Sequence, residues 1–444
     1  MNPILGDELH LHLYGCLTPE DIFTLGKDCY KSRTHALTWY ASEYEKYVGR
    51  RPQWQNYWDS NQGLGLITAD FLANKPMYFP EFQARFNLLI ALLPTTENAI
   101  NVLNRIVPRQ VEQNISYSEF RIFVPPALDS LQLKDYFQSL AEGCANSNVI
   151  YKGEHISRVI LSVSRNPTVF KQQYKVLRDL QSASDIVAYN ITGLDFCGVE
   201  EGHPPELLQQ VFQQILSDNK YKPEHALAIL YHVGETFDNM SIFSAMRWIH
   251  LSSHMGAHRL GHALAAGIPI ENHDRFVDGN RFYEPISEVQ TLLDFLRNDV
   301  ASNSGLCEAC DYLDHVYSEA MLNSHFKDKL EFIWNSDLRQ AAKDIQAWLL
   351  STLSQRQVIV ETCPTSNRII GRIVRQADLP VFLFAEKNVP ITISTDDPGI
   401  FATTLRGEEL ICRHMDQISE RQILEFADNS KKYRAGLIAG RSSY

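Results

Sequence analysis

Near the amino terminus Leu9, Leu11 and Leu13 alternate with His10 and His12. A period of two predicts an extended strand, in which residues two apart share a face, so the leucines meet one layer and both imidazoles project from the other. Similar β-rich runs recur at 8–13, 115–123, 156–163, 187–196, 226–233, 258–263, 357–362 and 390–396. Ile359-Val360 and Ile391-Thr392-Ile393 have the β-branched character of buried parallel strands. Between the runs, apolar residues repeat at helical spacing over 98–113, 169–181, 205–217 and 376–387. Strands alternating with helices imply a parallel sheet, and a count near eight predicts a closed (β/α)8 TIM-like barrel. A doubly wound open sheet with a helical second domain is the alternative.

A barrel of this kind takes about 250 residues, and the chain has 444. The surplus falls after the first and sixth strands. Residues 19–97 are dense in aromatics, from Trp39 and Tyr40 to Phe82 and Phe86. These either stack on a bound base or serve as core and interface. Residues 268–350 read as helices over 286–298, 307–324 and 326–349 around an Asp278-Gly279-Asn280 turn. With no repeat, low-complexity tract or Pro-rich linker, residues 1–444 are expected to form one elaborated domain. One insertion would be a lid over the pocket and the other an assembly surface, making the protein a homo-oligomer.

Composition narrows the partners. A formal net charge of −12 argues against a nucleic-acid surface and against an anionic membrane. No long apolar run appears, and Met1–Asp7 has no signal-peptide character. Eight cysteines without framework spacing point to a reducing cytoplasm. Cys307-x-x-Cys310 lacks a second half-site, which leaves it without a metal or redox reading. The first strand starts close to Met1, so the chain is either a complete protein or an excised catalytic portion.

Four groups of polar residues sit at or beside the carboxyl ends of predicted strands: His10-x-His12, His232-x-x-Glu235, Gly261-His262 and Asp396-Asp397. Each alone has a plain structural reading, as a polar strand face, a helix-start acid, a packed core histidine or a turn. Strand ends of a barrel converge on one mouth, so these residues can share one ion although hundreds of positions apart. Three neutral imidazoles and one carboxylate suit zinc with an open position for water, whose pKa the ion lowers toward about 7. Glu235, His262 and Asp397 are candidates for proton donor, proton acceptor and substrate holder.

These motifs, in this order, resemble the adenosine deaminase family of zinc-dependent barrel hydrolases. Arg259-Leu260-Gly261-His262-Ala263, the stretch Glu361–Asn367, Thr395–Phe401 and Gly193–Gly198 are similar to its signatures, over residues 8 to 405. The resemblance implies one zinc ion per chain held by His10, His12, His232 and Asp396, with Asp396 counted among the catalytic residues. It implies that Glu235 protonates purine nitrogen 1 and that His262 takes a proton from the water attacking carbon 6. Asp397 would bond nitrogen 7, and the Gly198 N–H nitrogen 3. The substrate would be an adenine nucleoside or nucleotide, the products ammonia and a 6-oxo purine.

One position departs from the family. Nucleoside deaminases carry an acidic residue after the His-x-His where this chain has Tyr14, and a tyrosine does not repel a 5′-phosphate. A helix starting at Thr365-Ser366-Asn367 would put Arg368, Arg372 and Arg375 on one face, near the loops where barrels bind phosphate. Those arginines hold a phosphorylated substrate, up to ATP, or form a solvated or subunit-contacting face. The large insertions also resemble nucleotide-acting deaminases of bacterial antiphage defence. Two other readings stay open: a related barrel metallohydrolase acting on a cyclic amide or phosphoester, and a purine-binding sensor or scaffold without turnover.

Overall fold

The computed structural model describes residues 4–93, 96–236, 239–271, 281–303, 305–322, 328–414 and 417–442. Six parallel strands come first: β1 (Asp7–His12), β2 (Tyr117–Phe123), β3 (Ile156–Val163), β4 (Ile191–Phe196), β5 (Ala228–Val233) and β6 (Arg259–His262). An antiparallel hairpin follows, β7 (Arg281–Pro285) with β8 (Lys329–Ile333), then β9 (Ile359–Thr362) and β10 (Ile391–Ile393). The parallel order is β1-β2-β3-β4-β5-β6-β9-β10. Closure comes from a bridge between Leu11 and Asp396, where the His12 N–H donates to the Asp396 carbonyl at 2.9 Å and the Asp396 N–H to the His10 carbonyl at 3.0 Å. Just before the bridge, the Ser394 hydroxyl accepts from the Leu9 and His10 amides at 3.2 and 3.1 Å, replacing ladder partners that β10 lacks. The eight-stranded barrel expected from the alternation is present.

The middle of the barrel is filled by ions as well as apolar side chains. Glu119 and Arg121, two apart on β2, meet Arg259 of β6 and Glu361 of β9, all with no more than 1% exposure. Arg259 pairs with Glu119 at 2.5 Å and with Glu361 at 2.7 Å. Arg121 pairs with Asp195 at 3.1 Å and also with Glu361. Buried ions persist only when matched in this way. The opposite end of the barrel is plugged by the helix Ala435–Ile438, whose first N–H reaches Glu119 at 2.6 Å. Among the described residues no helix is long and apolar enough to cross a membrane.

The first insertion contributes helices between β1 and β2. Pro19–Cys29 opens on a capping box from Thr18 to Asp21, and Phe79–Leu92 lies across the β1 end of the mouth. Tyr40, Tyr44, Tyr57 and Phe71 are fully buried in that layer, so most of its aromatics are core.

Several expected elements change type. Residues 187–190 belong to the helix Asp185–Asn190, capped by Ser184, and the strand begins only at Ile191. The helix expected over 326–349 is instead β8 followed by the helix Ser336–Gln355. Leu330 and Phe332 point inward while Lys329, Glu331 and Ile333 point outward, a period of two too short to stand out in a helical neighbourhood. The Asp278-Gly279-Asn280 turn lies outside the described residues. The helix after β9 stops at Ile370, and Arg372 adopts a φ of 51°. The arginine stripe is therefore corrected: Arg368, Arg372 and Arg375 do not share a helical face, because the helix ends at Ile370 and the chain turns at the left-handed Arg372.

Candidate active site

At the carboxyl end of the barrel, β1 presents His10 and His12, β5 His232, β6 His262, and the turn after β10 Asp396 and Asp397. His10 lies centrally, its ring centroid 4.7 Å from that of His232, 4.9 Å from His262 and 5.4 Å from His12. The Asp396 carboxylate faces them, with Oδ1 3.4 Å from Nε2 of both His10 and His12 and Oδ2 3.8 Å from Nε2 of His262. Asp396 holds a positive φ of 65°, which turns its side chain from the strand toward the mouth. Glu235 follows β5, with Oε1 3.5 Å from His262 Nε2.

The ligand candidates are oriented from behind. His10 Nδ1 lies 3.0 Å from Glu361, and His232 Nδ1 lies 2.9 Å from Asp195. Arg121 beside both carboxylates holds them well below the ordinary carboxylate range, against the upward push of burial. Both are thus charged acceptors, which places the ring hydrogens on Nδ1 and turns the Nε2 lone pairs toward the mouth. His12 is held neutral, its pKa lowered to about 3 by burial. His10, His232 and His262 offer donor atoms within 4.8 Å of one another, as do Glu235, His262 and Asp396. Imidazoles with a carboxylate, backed by charged second partners, fit a divalent ion. Cys363 is also near His10 and Asp396, but burial pushes its thiol well up, away from the thiolate a metal needs.

Three carboxyl groups in one pocket diverge. Burial, Asp396 and Glu200 push Glu235 well above the ordinary range. Burial, Asp396 and Glu235 do the same to Asp397. Asp396 stays well below it, because the surrounding histidines outweigh its burial. Two carboxyls are pushed toward the protonated form and the third toward the charged one, the pattern that separates donors from acceptors. Asp397 fits only because residue 15 is glycine, since a Cβ there would stand 1.6 Å from Asp397 Oδ1. That oxygen is buried with no hydrogen-bond partner among the described residues.

The His262 ring is held from behind by Asn367. The Asn367 Oδ1 accepts from the Cys363 N–H at 3.2 Å and from the Thr362 hydroxyl at 3.1 Å. Its amide nitrogen is therefore the atom that donates to His262 Nδ1, at 3.2 Å. Burial keeps the ring neutral, so its one hydrogen sits on Nε2. His262 presents an N–H to the mouth in this structure, where accepting a proton requires a lone pair.

The cavity above these groups measures about 300 Å³ and holds Tyr14, Gly198, Glu235, Asp396 and Asp397 on its wall. Gly198 has a φ of 84°, open to glycine without strain. Phe79, Phe82 and Phe86 of the first insertion, with Phe123 at the end of β2, form an aromatic side. Arg368 and Arg372 are not among the lining residues. Arg368 is exposed, and Arg372 stacks 4.0 Å above the Tyr78 ring. Among the described lining residues the guanidinium groups are Arg121, matched as above, and Arg165, which donates to the carbonyls of His232 and Cys197 at 2.8 and 3.2 Å.

Sequence reasoning missed Arg121, Asp195, Glu361, Glu200 and Arg165. A usable signal was a charge at an inward position of an otherwise apolar strand, as in Glu119-Phe120-Arg121 and Leu194-Asp195-Phe196.

Comparison with known proteins agrees with this geometry. Residues 339–435 match the family model described as adenosine deaminase, a segment that contains Glu361, Asn367, Asp396 and Asp397. Over 82 residues the chain is 39% identical to the aminodeoxyfutalosine deaminase of Streptomyces coelicolor, a match covering 18% of this chain and 21% of that protein. The chain thus spans about a fifth of the length of that curated relative. Among solved structures, the adenine deaminase of Arthrobacter aurescens superposes with a TM-score of 0.57 at 15% identity, covering 97% of this chain and 93% of the other. Arabidopsis ADAL complexed with GMP gives 0.56 at 15% identity, over 97% and 92%. At such identities the structural likeness speaks for the fold.

Proposed function

We infer that the chain, whose residues 339–435 match the adenosine deaminase family model, hydrolytically deaminates a 6-aminopurine, releasing ammonia and a 6-oxo purine. The observation that carries the reading is the convergence of His10, His12, His232, His262, Glu235 and Asp396 from separate strand ends on one mouth, with donor atoms of His10, His232 and His262, and of Glu235, His262 and Asp396, within 4.8 Å of one another. A scaffold that merely bound purines would have no use for so many buried metal-ligating and proton-transferring groups in one place.

His10, His12, His232 and Asp396 would hold a divalent ion, with zinc favoured by this donor set. When bound, the ion polarises water and lowers its pKa toward neutrality. The chain's own groups do the rest. Glu235 donates its proton to ring nitrogen 1, which makes carbon 6 electrophilic. Asp397, protonated, donates to nitrogen 7, and the Gly198 N–H approaches nitrogen 3. His262 donates from Nε2 to the attacking oxygen and orients it, so we assign the proton shed by the water to Asp396 instead of His262. That proton then goes to the departing amine, and as ammonia leaves the carbon 6 hydroxyl gives its own proton to the Glu235 carboxylate, forming the 6-oxo group and restoring the acid. The purine lies against Phe79, Phe82 and Phe86, which exclude water from the reacting face.

The first substrate reading is an uncharged adenine nucleoside, since no lysine lines the cavity among the described residues, although Arg165 there keeps one buried Nη1 without a hydrogen-bond partner. The second reading is a 5′-phosphorylated nucleotide. It is supported by Tyr14 on the wall in place of an acid and by the GMP complex of ADAL. An antiphage role belongs with that second reading.

An ammonia-release screen over adenosine, AMP, ADP and ATP, with elemental analysis of the same preparation, tests both. Turnover of adenosine with stoichiometric zinc is the expected result. Turnover of the phosphates alone favours the nucleotide reading. Tight purine binding without ammonia, in metal-replete protein, replaces the enzyme with a sensor. His12→Ala should lose metal and activity together, and full metal occupancy in that variant removes His12 from the ligand set.

A further inference from the structure

Glu235 follows a glycine, lies at the end of a strand, and sits in a loop rather than on a helix. Something must hold it. Gly234 takes the left-handed conformation, φ 64°, with Ile249 packed where a Cβ would stand at 2.8 Å. Successive amides around a left-handed residue turn to one side and form a concavity that attracts an anion. Here the anion is supplied by the chain itself. Glu200, beyond the end of β4 and 3% exposed, inserts its carboxylate among these amides. Oε2 accepts from the Gly234 N–H at 2.8 Å, and Oε1 accepts from Glu235 at 2.9 Å and Thr236 at 3.3 Å. From the other side, Arg165 donates to the His232 carbonyl at 2.8 Å and to Cys197 at 3.2 Å. The Gly234 carbonyl is itself taken by the Ala265 amide at 3.1 Å, just after β6.

We propose that Glu200 is the positioning residue of the reaction: its carboxylate clamps the amides of residues 234–236 and so fixes the Glu235 carboxyl against the purine. Glu200 touches neither the substrate nor an ion ligand side chain, and acts only through the Glu235 backbone. The proposal rests on the deaminase reading for its catalytic consequence, and on the structure alone for the clamp. An unfilled concavity would leave three N–H groups without acceptors, those of Gly234 and Glu235 buried, and let the loop swing. A displacement of about 1 Å in a reacting group can cost about a hundredfold in rate.

The test compares metal-loaded wild type, Glu200→Ala and Glu200→Gln by steady-state ammonia release, metal content and amide hydrogen exchange across 232–240. In Glu200→Ala, kcat should fall about 30- to 100-fold with KM within threefold and metal content unchanged, while the amides of 234–236 exchange at least tenfold faster. Glu200→Gln keeps one acceptor oxygen and should fall between the two on both readouts, so it serves if the alanine variant fails to fold. Unchanged exchange in the alanine variant, or in the glutamine variant read in its place, overturns the clamp. Accelerated exchange with kcat within threefold of wild type overturns the positioning role. Rate, KM and metal content all falling together would show collapse of the whole site and also overturn it. If wild type releases no ammonia from any adenine compound, the deaminase reading fails, while the exchange arm still decides whether Glu200 holds the loop.

Discussion

Asp195→Asn tests whether the metal site is built by groups behind its ligands. Asp195 is fully buried and touches three partners: His232 Nδ1 at 2.9 Å, Arg121 Nη1 at 3.1 Å and the Ser162 hydroxyl at 3.3 Å. Asparagine has the same shape, and its carbonyl oxygen can still accept from the imidazole, so the tautomer survives. What disappears is a charge. At 3.1 Å and an effective dielectric of about 20, the gross Arg121–Asp195 attraction is about 5 kcal/mol. Without it, Arg121 keeps only Glu361 as a charged partner. Its Nη1 lies 3.3 Å from His10 Nε2 and 3.4 Å from His232 Nδ1, so the residual positive field falls on the proposed ligands. Removing such outer partners typically weakens metal binding about 10- to 100-fold. Both effects act here, and the expectation is the upper end, a hundredfold, or about 2.7 kcal/mol. Zinc affinity measured by chelator competition gives the answer, with Asp195→Ala, which also frees the ring, expected to be weaker still. Both variants binding zinc within threefold of wild type would refute the idea that the ligands depend on this support.

Other perturbations separate the remaining parts. Glu235→Gln should retain metal and lose about 10²- to 10⁴-fold in kcat; a wild-type rate in that variant removes Glu235 as the acid. Because the Glu235 pKa is raised by burial and the protonated form is the active one, wild-type kcat/KM should decline as pH rises through a value above the ordinary carboxylate range; a decline centred near an ordinary carboxylate pKa would contradict the assignment. Gly15→Ala puts a Cβ into the Asp397 carboxylate and should raise KM or lower kcat at least tenfold with metal retained; unaltered kinetics would show that Asp397 has room to move. Glu284, buried beside Ser241 and Tyr317, has its pKa raised to about 7, burial being the main cause. With the folded value above the unfolded one, its contribution to stability is fully present below about pH 4.5 and disappears as pH rises through 7. Glu284→Gln should therefore gain on wild type between pH 5 and pH 8 by up to about 3 kcal/mol, read from denaturation midpoints at the two pH values; equal differences at both would rule this out.

Much of the barrel and of its mouth is legible from local pattern. All eight parallel strands fall within or across the β-rich runs, because a buried parallel strand needs a short apolar segment whatever its partners are. His10-x-His12 reads as one face, since two residues on a strand share a side wherever the strand is packed. Boundaries are less secure. The run 187–196 conceals a helical turn capped by Ser184, and β8 reads as helix, since a five-residue alternation competes poorly with helix formers on both sides. The arginine stripe fails where the helix ends at Ile370 and Arg372 turns left-handed, a change of backbone that spacing along the chain does not reveal.

By itself the order of residues determined which side chains stand at strand ends, and hence which histidines and aspartates were available to one mouth. Tertiary structure alone decided their chemical state. Arg121 is charged against Asp195 and Glu361, Asn367 places the His262 hydrogen, and Glu200 gathers three amides, each pair more than 30 residues apart in the chain. Protonation and hydrogen placement depend on burial and on charges a few ångströms away, quantities set by packing distance and invisible to periodicity.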